Sequence, residues 1–477
     1  MTSESRFVTL FRGVGSRQLL QFVFDLGANI AITRMLAPSE VGTYSVAIAS
    51  VIIVQALRTA GVNVYLMQTR DLQPREVASA LGLALAISLT LGGGVLLAAP
   101  SIAGFYGTPA IRDVLIIASL NFLFVPFHSV AGGLLARHLH LVAPANAQLL
   151  ASMVAAIVGV SLAAFGLGAT SLAWASVAST LAATLGMLWF ARHWVQLRPR
   201  WQGWKRIWST TRWTLAGTVT NQVGGRLNEI VIGKTLGVDH AAWLDRAELL
   251  PRLLWSYLAP MLLGVLTPTM ASDLRAGADP RTLLRERLRL FALIFVPMMI
   301  GLGTQSKALL MTLYGTQWAN SIEPAFWVCV ASAISGQFVA INSMLVASGR
   351  MRDLFLITAI EQIARIAVLA IFAQLSILAT TRGLILAAIA YALSAMLVAR
   401  RAKLLLWRDL GYVAGPSVSS AIIMLLVGSW ISALMSGTTA YLALMVGGAV
   451  LAAAWLVTIA ILEPKLLRMV LQLVRPR

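Results

Sequence analysis

Acidic residues and cysteine are scarce in this chain. Only 18 of the 477 residues are Asp or Glu, and Cys329 is the single cysteine. One cysteine excludes an internal disulfide and a cysteine-based metal centre. The five histidines are scattered, and the sequence holds no phosphate-cradling loop or nucleophilic constellation. It therefore predicts no catalytic residue, no metal site and no cofactor, which argues against an enzyme.

Apolar residues, in contrast, make up 58% of the chain, and charged residues only 12%. The mean hydropathy is +0.81, whereas soluble domains hold about 45–50% apolar residues. Uninterrupted runs such as "YLALMVGGAVLAAAWLVTIAIL" reach the roughly 20 residues that a helix needs to cross a bilayer. The composition predicts a protein that crosses a membrane many times.

Turn and charge signals divide the apolar sequence into separate segments. The fold class that they predict is all-α, a polytopic membrane protein with about 14 transmembrane helices. The predicted helices cover residues 13–35, 41–68, 76–103, 112–136, 142–166, 170–191, 212–236, 241–271, 287–311, 318–347, 352–377, 382–400, 411–435 and 438–462.

The net charge of +19 is unevenly distributed over this topology. Basic residues gather in cytoplasmic loops of membrane proteins, and the alternation here predicts a membrane protein with both termini in the cytoplasm. The excess positive charge then attracts anionic membrane lipids and does not indicate nucleic acid. The predicted external loops are short and hold only five basic residues: Arg34, Arg112, Lys234, Lys307 and Arg382.

The longest predicted connection divides the first twelve helices into six and six. We expect a six-helix bundle at 1–192, a cytoplasmic amphipathic linker at 193–213, a second six-helix bundle at 214–405, and two further helices with a basic tail at 406–477. In the linker, Trp201, Trp204 and Trp208 follow helical spacing with basic residues between them, which suits a helix at the membrane surface.

The two bundles also align with each other. At an offset of 200 residues, "ITRMLAPSEVGTYSVA" (32–47) matches "IGKTLGVDHAAWLDRA" (232–247), with Gly42 opposite Ala242. An even number of helices in each bundle makes the repeat parallel, with its axis along the membrane normal.

Several charges fall inside predicted helices, where a charge costs roughly 2.5–3.5 kcal/mol and usually faces a bundle interior or a wet cavity. Arg226 and Glu229 are three residues apart, and Glu361 and Arg365 four, so each pair shares a helix face. These pairs either neutralise each other and hold helices together or form part of a polar cavity. The remaining charges inside predicted helices are Arg17, Asp25, Arg58, Asp245, Arg246, Glu248 and Arg252.

The segments "ITRMLAPSEVGTYSVAIA", "AGVNVYLMQTRDL" and "LNEIVIGKTLGVDHAAWLDRA" resemble the first, second, seventh and eighth helices of polysaccharide flippases of the Wzx type. Those belong to the multidrug/oligosaccharidyl-lipid/polysaccharide transporter superfamily. The order of elements fits over about residues 10–410. Two departures are Asn228–Glu229, where the family often has an aspartate, and Leu244, which replaces a frequent tyrosine.

This resemblance implies a flippase that moves polyprenyl-pyrophosphate-linked oligosaccharide across the membrane by alternating access, for surface polysaccharide biosynthesis. We expect a hydrated cavity between the two bundles, because arginine stays charged when buried and its fork of donors suits phosphate oxygens. The candidate substrate-binding residues are Arg17, Arg58, Arg226, Arg246, Arg365, Asn221, Gln222 and Asn228. The candidates for coupling to protons or sodium are Asp25, Glu229 and Glu361. Further polar residues that suit sugars include Asn121, Asn146, Gln148, Gln337 and Asn342.

Two other functions compete with this hypothesis. A cation-coupled multidrug exporter of the same superfamily would favour an acidic cavity, whereas basic residues outnumber acidic ones in the predicted helices. A membrane-embedded glycan polymerase or ligase would need a substantial external loop with catalytic residues. The partners expected of a flippase are its lipid-linked oligosaccharide, membrane lipids, a glycan polymerase and export machinery.

Overall fold

The computed structural model describes residues 3–51, 54, 62–69, 72–138, 140, 142–195, 198–201, 226–435 and 437–463. Every regular element within these ranges is a helix, so the predicted all-α fold class is confirmed. The chain forms two compact units, Met1–Ala242 and Trp243–Arg477. The predicted linker from residue 202 onward and the basic tail from residue 464 lie outside the described ranges.

The helices of the first unit match the predicted segments. They are α1 (Ser3–Met35), α2 (Pro38–Ser50), α3 (Val62–Gln68), α4 (Pro74–Tyr106), α5 (Ala110–Ser119), α6 (Asn121–Arg137), α7 (Val142–Ala164), α8 (Ala169–Ala191) and α9 (226–235). The next helix, α10 (Val238–Arg275), starts in the last residues of this unit.

The second unit continues with eight further α-helices. They are α11 (Pro280–Thr304), α12 (Ser306–Leu313), α13 (Ile322–Gly336), α14 (Val339–Ala347), α15 (Met351–Phe372), α16 (Ile377–Arg401), α17 (Trp407–Leu434) and α18 (Ala440–Leu462). A 3-10 helix, Thr316–Ser321, precedes α13.

Some helix ends differ from the prediction because capping residues, and not apolar residues, set them. The helix predicted to begin at residue 287 begins at Pro280, since the Asp279 side chain accepts hydrogen bonds from the backbone N–H groups of Arg281 and Thr282. Proline suits this first position because its fixed backbone angle is helical and it has no N–H to satisfy.

A second capping device recurs in the first unit. Glu40 accepts a hydrogen bond from the backbone N–H of Ala37 at 2.8 Å, and Glu76 accepts one from Gln73 at 3.1 Å. In both places the acid stands three residues after the cap and a proline opens the helix. The acids therefore satisfy backbone donors that the helix leaves free, and they interact favourably with its positive end.

Apolar packing closes each unit around its own core. In the first unit α1 packs on α7, and α7 packs on α8. In the second unit α11 packs on α13 and α17, with Phe291, Phe295 and Met299 in the core. The polar residues described below are therefore carried by helices that their apolar faces hold in place.

Ten helices within the described residues are long and apolar enough to cross a membrane. Many large apolar side chains are exposed in both units, including Leu97, Phe165 and Ile461. Soluble proteins rarely expose so large an apolar surface to water. The protein is a multi-pass membrane protein, as predicted.

The number of fourteen membrane crossings stays a prediction. The four predicted helices without a qualifying described span are 13–35, 41–68, 212–236 and 241–271. All four carry charges or lie partly outside the described residues, which is why composition alone does not select them.

Candidate functional site

Four charged side chains of α10 lie within one helical stretch: Asp245, Arg246, Glu248 and Arg252. The Arg252 guanidinium bridges two carboxylates, with Nη1 3.1 Å from Asp245 Oδ1 and Nη2 3.1 Å from Glu248 Oε2. The spacings of seven and four residues place all three groups on one face of the helix. Both carboxylates are buried, whereas the Arg252 side chain is 35% exposed.

A fifth charged residue joins this group from α15. Arg365 Nη2 lies 3.7 Å from Glu248 Oε1, so Glu248 stands between two arginines that come from different helices. The sequence paired Arg365 with Glu361, one turn earlier on α15, and did not foresee the contact with Glu248. We call Asp245, Arg246, Glu248, Arg252 and Arg365 the arginine–carboxylate cluster.

Arg246 is the most enclosed arginine of the cluster. Its guanidinium carbon lies 5.5 Å from the ring centroid of Tyr314 and 5.4 Å from that of Trp318, and its side chain is 6% exposed. Both rings are fully buried. A guanidinium held against two aromatic faces is favourable because the rings present negative charge to it. Arg246 therefore has little free surface for a ligand.

Tyr314 lies between two candidate spans, and its environment keeps its hydroxyl protonated. Burial raises the pKa of Tyr314, and the Arg246 charge partly opposes that rise. The hydroxyl therefore remains a neutral hydrogen-bonding group beside the guanidinium. Sequence reasoning missed this residue, since nothing in the sequence connects position 314 with α10.

The arginines of the cluster with accessible surface are Arg252 and Arg365, the latter with 25% of its side chain exposed. Arg252 was recognised as a charge inside a predicted helix but was not among the predicted substrate-binding residues. Its spacing from Asp245 and Glu248 was the signal that could have identified it.

The first unit contains the predicted pair on α9. Arg226 Nη1 donates a hydrogen bond to Glu229 Oε1 at 2.9 Å, so the pairing expected from their spacing is confirmed. Glu229 is 0% exposed and its neighbour Asn228 is also buried. The predicted polar stripe continues through Asn221 and Gln222, which lie outside the described residues, as does Arg58.

Helix α9 is fixed in this unit by contacts at its far end. Lys234 Nζ donates a hydrogen bond to the carbonyl of Phe105 at 2.6 Å and lies 4.3 Å from the centroid of the Phe105 ring. Gly233 allows Val46 of α2 to approach, because a Cβ at that position would lie 2.5 Å from it. The position of Glu229 therefore depends on packing against α2 and α4.

Two further predicted residues lie on α1. Arg17 donates a hydrogen bond from Nε to the side-chain oxygen of Asn146 on α7, which brings together two residues that the sequence singled out separately. Asp25 accepts a hydrogen bond from Gln21 at 3.3 Å and is exposed.

A second polar contact crosses the second unit. Asn342 donates a hydrogen bond to the Tyr391 hydroxyl at 2.9 Å, and Gln337 accepts one from Ser417 at 3.5 Å. Asn342 and Gln337 were candidates for contacts with sugars, whereas Tyr391 was missed. Within the described residues no three His, Cys, Asp or Glu side chains converge to hold a metal ion.

Comparison with known proteins agrees with the resemblance seen in the sequence. Residues 31–323 match the model of a family described as "Polysaccharide biosynthesis protein". The chain is 24% identical over 292 residues to the succinoglycan biosynthesis transport protein ExoT of Rhizobium meliloti (strain 1021), covering 60% of this chain and 58% of ExoT. It is 21% identical over 304 residues to the teichuronic acid biosynthesis protein TuaB of Bacillus subtilis (strain 168), covering 62% of each. The match thus spans about three-fifths of each relative.

Solved structures share the fold. The lipid II flippase MurJ in an inward closed conformation is similar with a TM-score of 0.77 and 14% identity, over 95% of this chain and 99% of MurJ. An inward-facing multidrug resistance MATE family transporter of the MOP superfamily is similar with a TM-score of 0.61 and 14% identity, over 80% of this chain and 94% of that transporter.

Proposed function

We propose that this chain, which belongs to the polysaccharide biosynthesis protein family, moves a lipid-linked oligosaccharide across the bacterial plasma membrane. The observation that carries the proposal is the arginine–carboxylate cluster, with its two partly exposed arginines, Arg252 and Arg365, inside a membrane bundle. The similarity to ExoT, a succinoglycan biosynthesis transport protein, and to MurJ, a lipid II flippase, supports the same class of function.

The chemistry of the cluster suits a pyrophosphate. Three guanidinium groups, those of Arg246, Arg252 and Arg365, lie beside Asp245 and Glu248, and two of them keep part of their side chains exposed. Guanidinium groups bind phosphate oxygens through two parallel hydrogen bonds and keep their charge when buried. Arg252 and Arg365 would bind the anionic head of the substrate, and Arg246 would hold Asp245 in place. The proposed activity is transport of the substrate, with no covalent step.

Glu361 gives this site a means of coupling to an ion. It lies one turn before Arg365 on α15, so its charge weakens the field that Arg365 offers to a phosphate. Protonation of Glu361 would strengthen that field, and loss of the proton would weaken it. Transport would proceed by alternating access, with both termini in the cytoplasm. A glycan polymerase and export machinery would then use the translocated oligosaccharide.

The test replaces one accessible arginine and measures transport. Arg365→Gln should lower translocation of a polyprenyl-pyrophosphate-linked oligosaccharide in proteoliposomes about tenfold or more, because a charge-assisted hydrogen bond contributes about 1.5–3 kcal/mol. The matched control is Arg352→Gln, an exposed arginine on the same helix, which should transport normally. Equal transport by Arg365→Gln and the control, at equal protein level, would contradict the proposal.

A multidrug exporter is the second candidate, because the MATE transporter shares this fold. The same proteoliposomes distinguish the two functions. If an imposed proton or sodium gradient drives uptake of a cationic dye, the protein is an exporter. We expect no such uptake, since the cluster would repel a cation.

A further inference from the structure

Helix α11 carries a row of arginines at its first turns. Arg281, Arg285 and Arg289 are spaced four residues apart and so share a face. This face meets the beginning of α17 and the end of α18. The row lies on a different helix from the residues of the arginine–carboxylate cluster, and it takes no part in the proposed transport.

The two outer arginines of the row have partners of their own. Arg281 forms a two-pronged contact with Asp409, from Nε at 2.9 Å and from Nη2 at 3.0 Å. Arg289 lies 3.0 Å from Glu463 Oε2 and donates a hydrogen bond to the carbonyl of Leu462, which caps the end of α18. These two arginines therefore hold α17 and α18 to α11.

Arg285, between them, has no carboxylate of its own among the described residues. Its one carboxylate contact is Asp409 Oδ1 at 3.9 Å, beyond hydrogen-bond range, and Asp409 already accepts hydrogen bonds from Arg281 and from the backbone N–H of Leu406. Its Nε is shielded from water and makes no hydrogen bond to a described residue. Arg281 pairs with Asp409 and Arg289 pairs with Glu463, so among the described residues Arg285 is the arginine of the row that no carboxylate approaches within hydrogen-bond range.

An aromatic ring holds this spare charge in position. The guanidinium carbon of Arg285 lies 4.7 Å from the ring centroid of Tyr412, and that of Arg289 lies 4.4 Å from it. Tyr412 stands in the second turn of α17, next to the start of the span Gly411–Leu434. Tyrosine rings occur at this level in membrane proteins, where the headgroups of lipids lie. The Arg285 side chain is 36% exposed there.

We propose that Arg285 and Tyr412 form a binding site for the headgroup of an anionic phospholipid. A single spare positive charge matches the single net negative charge of phosphatidylglycerol and does not favour the zwitterionic phosphatidylethanolamine. The guanidinium supplies paired donors to the phosphate, and the tyrosine keeps the guanidinium from turning away. The bound lipid would join α11, α17 and α18 at one membrane surface.

The test is native mass spectrometry of the purified full-length protein in detergent. The wild type should retain phosphatidylglycerol about fivefold better than phosphatidylethanolamine with the same acyl chains, the effect of one arginine near an anionic headgroup. Arg285→Gln should abolish this preference, and Arg285→Lys should keep most of it because the charge remains. Arg352→Gln, which removes an exposed arginine of α15, should bind both lipids as the wild type does.

Three results would overturn the assignment. The first is equal retention of both lipids by the wild type. The second is an unchanged preference in Arg285→Gln. The third is displacement of bound phosphatidylglycerol by millimolar inorganic phosphate or by a polyprenyl pyrophosphate, which would make the site one for free phosphate or for the transport substrate. None of these readouts depends on what the protein transports.

Discussion

The arginines of this protein differ in role because their neighbours differ. Arg246 lies between two buried rings and beside Asp245, whereas Arg365 reaches one carboxylate and keeps part of its surface free. Burying a charge is costly unless it is paired, so the first arginine must be satisfied by protein groups. The second keeps a quarter of its side chain exposed, so a ligand can reach it. Residue type alone does not separate these roles.

Asp409 provides a pH-dependent test of one such contact outside the membrane spans. Hydrogen bonds from the Arg281 side chain, and further ones from the backbone N–H of Leu406, hold the pKa of Asp409 below its ordinary value. A carboxyl whose pKa is lower in the folded than in the unfolded protein stabilises the fold at any pH above the unfolded value. This stabilisation is lost as the pH falls through the pKa of the folded state. The contact between α11 and α17 should therefore be constant from pH 5 to 8.

Asp409→Asn should accordingly lower the melting temperature of the purified protein at pH 7 by about 2–4 °C. The difference from the wild type should shrink below about pH 4, where the wild-type carboxyl also becomes protonated. Glu286→Gln, at an exposed glutamate of α11 beyond its first turn, should match the wild type throughout. A difference that grows toward low pH would contradict the assigned role of Asp409.

At the scale of helices, the sequence predicted well where the helices lie but predicted poorly which helices contact each other. Apolar runs indicate where helices lie, so the described part of each predicted segment is largely helical. The Arg226–Glu229 pair was predictable because both residues belong to one helix turn. Arg281 and Asp409 are 128 residues apart in the chain, and Arg365 meets Glu248 of another helix. Such contacts depend on packing, which periodicity does not specify.

The breaks within predicted helices were also missed. The segment 318–347 was predicted as one helix, but the structure contains a 3-10 helix and then α13 and α14. Apolar residues predominate on both sides of the break between α13 and α14, so hydropathy gives no signal there. The chain turns at Gln337 and Phe338, between α13 and α14.

A glycine on α2 gives a test of helix contact. A Cβ at Gly42 would lie 1.9 Å from the backbone oxygen of Val238 and 3.2 Å from the Cβ of Ala242. Because the obstacle is backbone, α2 and α10 would have to separate to admit a side chain.

Gly42→Leu should therefore destabilise the protein by about 1–3 kcal/mol, the usual effect of overpacking. The measurement is thermal unfolding together with the yield of folded protein in detergent. Gly94→Leu is the matched control, because it places the same side chain on α4 where no atom lies within 4 Å. Wild-type stability in Gly42→Leu would show that the close approach of α2 and α10 is not needed.

At the scale of the whole molecule, composition and fold agree on a multi-pass membrane protein. The resemblance seen in the sequence is confirmed at the level of the polysaccharide biosynthesis protein family, whose model matches residues 31–323, and the fold is shared with MurJ. The apolar exterior requires a bilayer around it. The orientation of the protein in that bilayer stays a prediction, made from the concentration of basic residues on one side of the predicted topology.

The single cysteine makes this orientation easy to test. Cys329 is fully buried, so it should contribute little background in labelling with a membrane-impermeant maleimide. Thr316 and Ser272 are both exposed and lie at opposite ends of predicted helices. Thr316→Cys should be labelled in intact cells, because it falls in a predicted external loop. Ser272→Cys should be labelled only after permeabilisation, because it falls on the side rich in arginine. The reverse pattern would place the arginine-rich loops outside, and the lipid site at Arg285 would then face the outer leaflet.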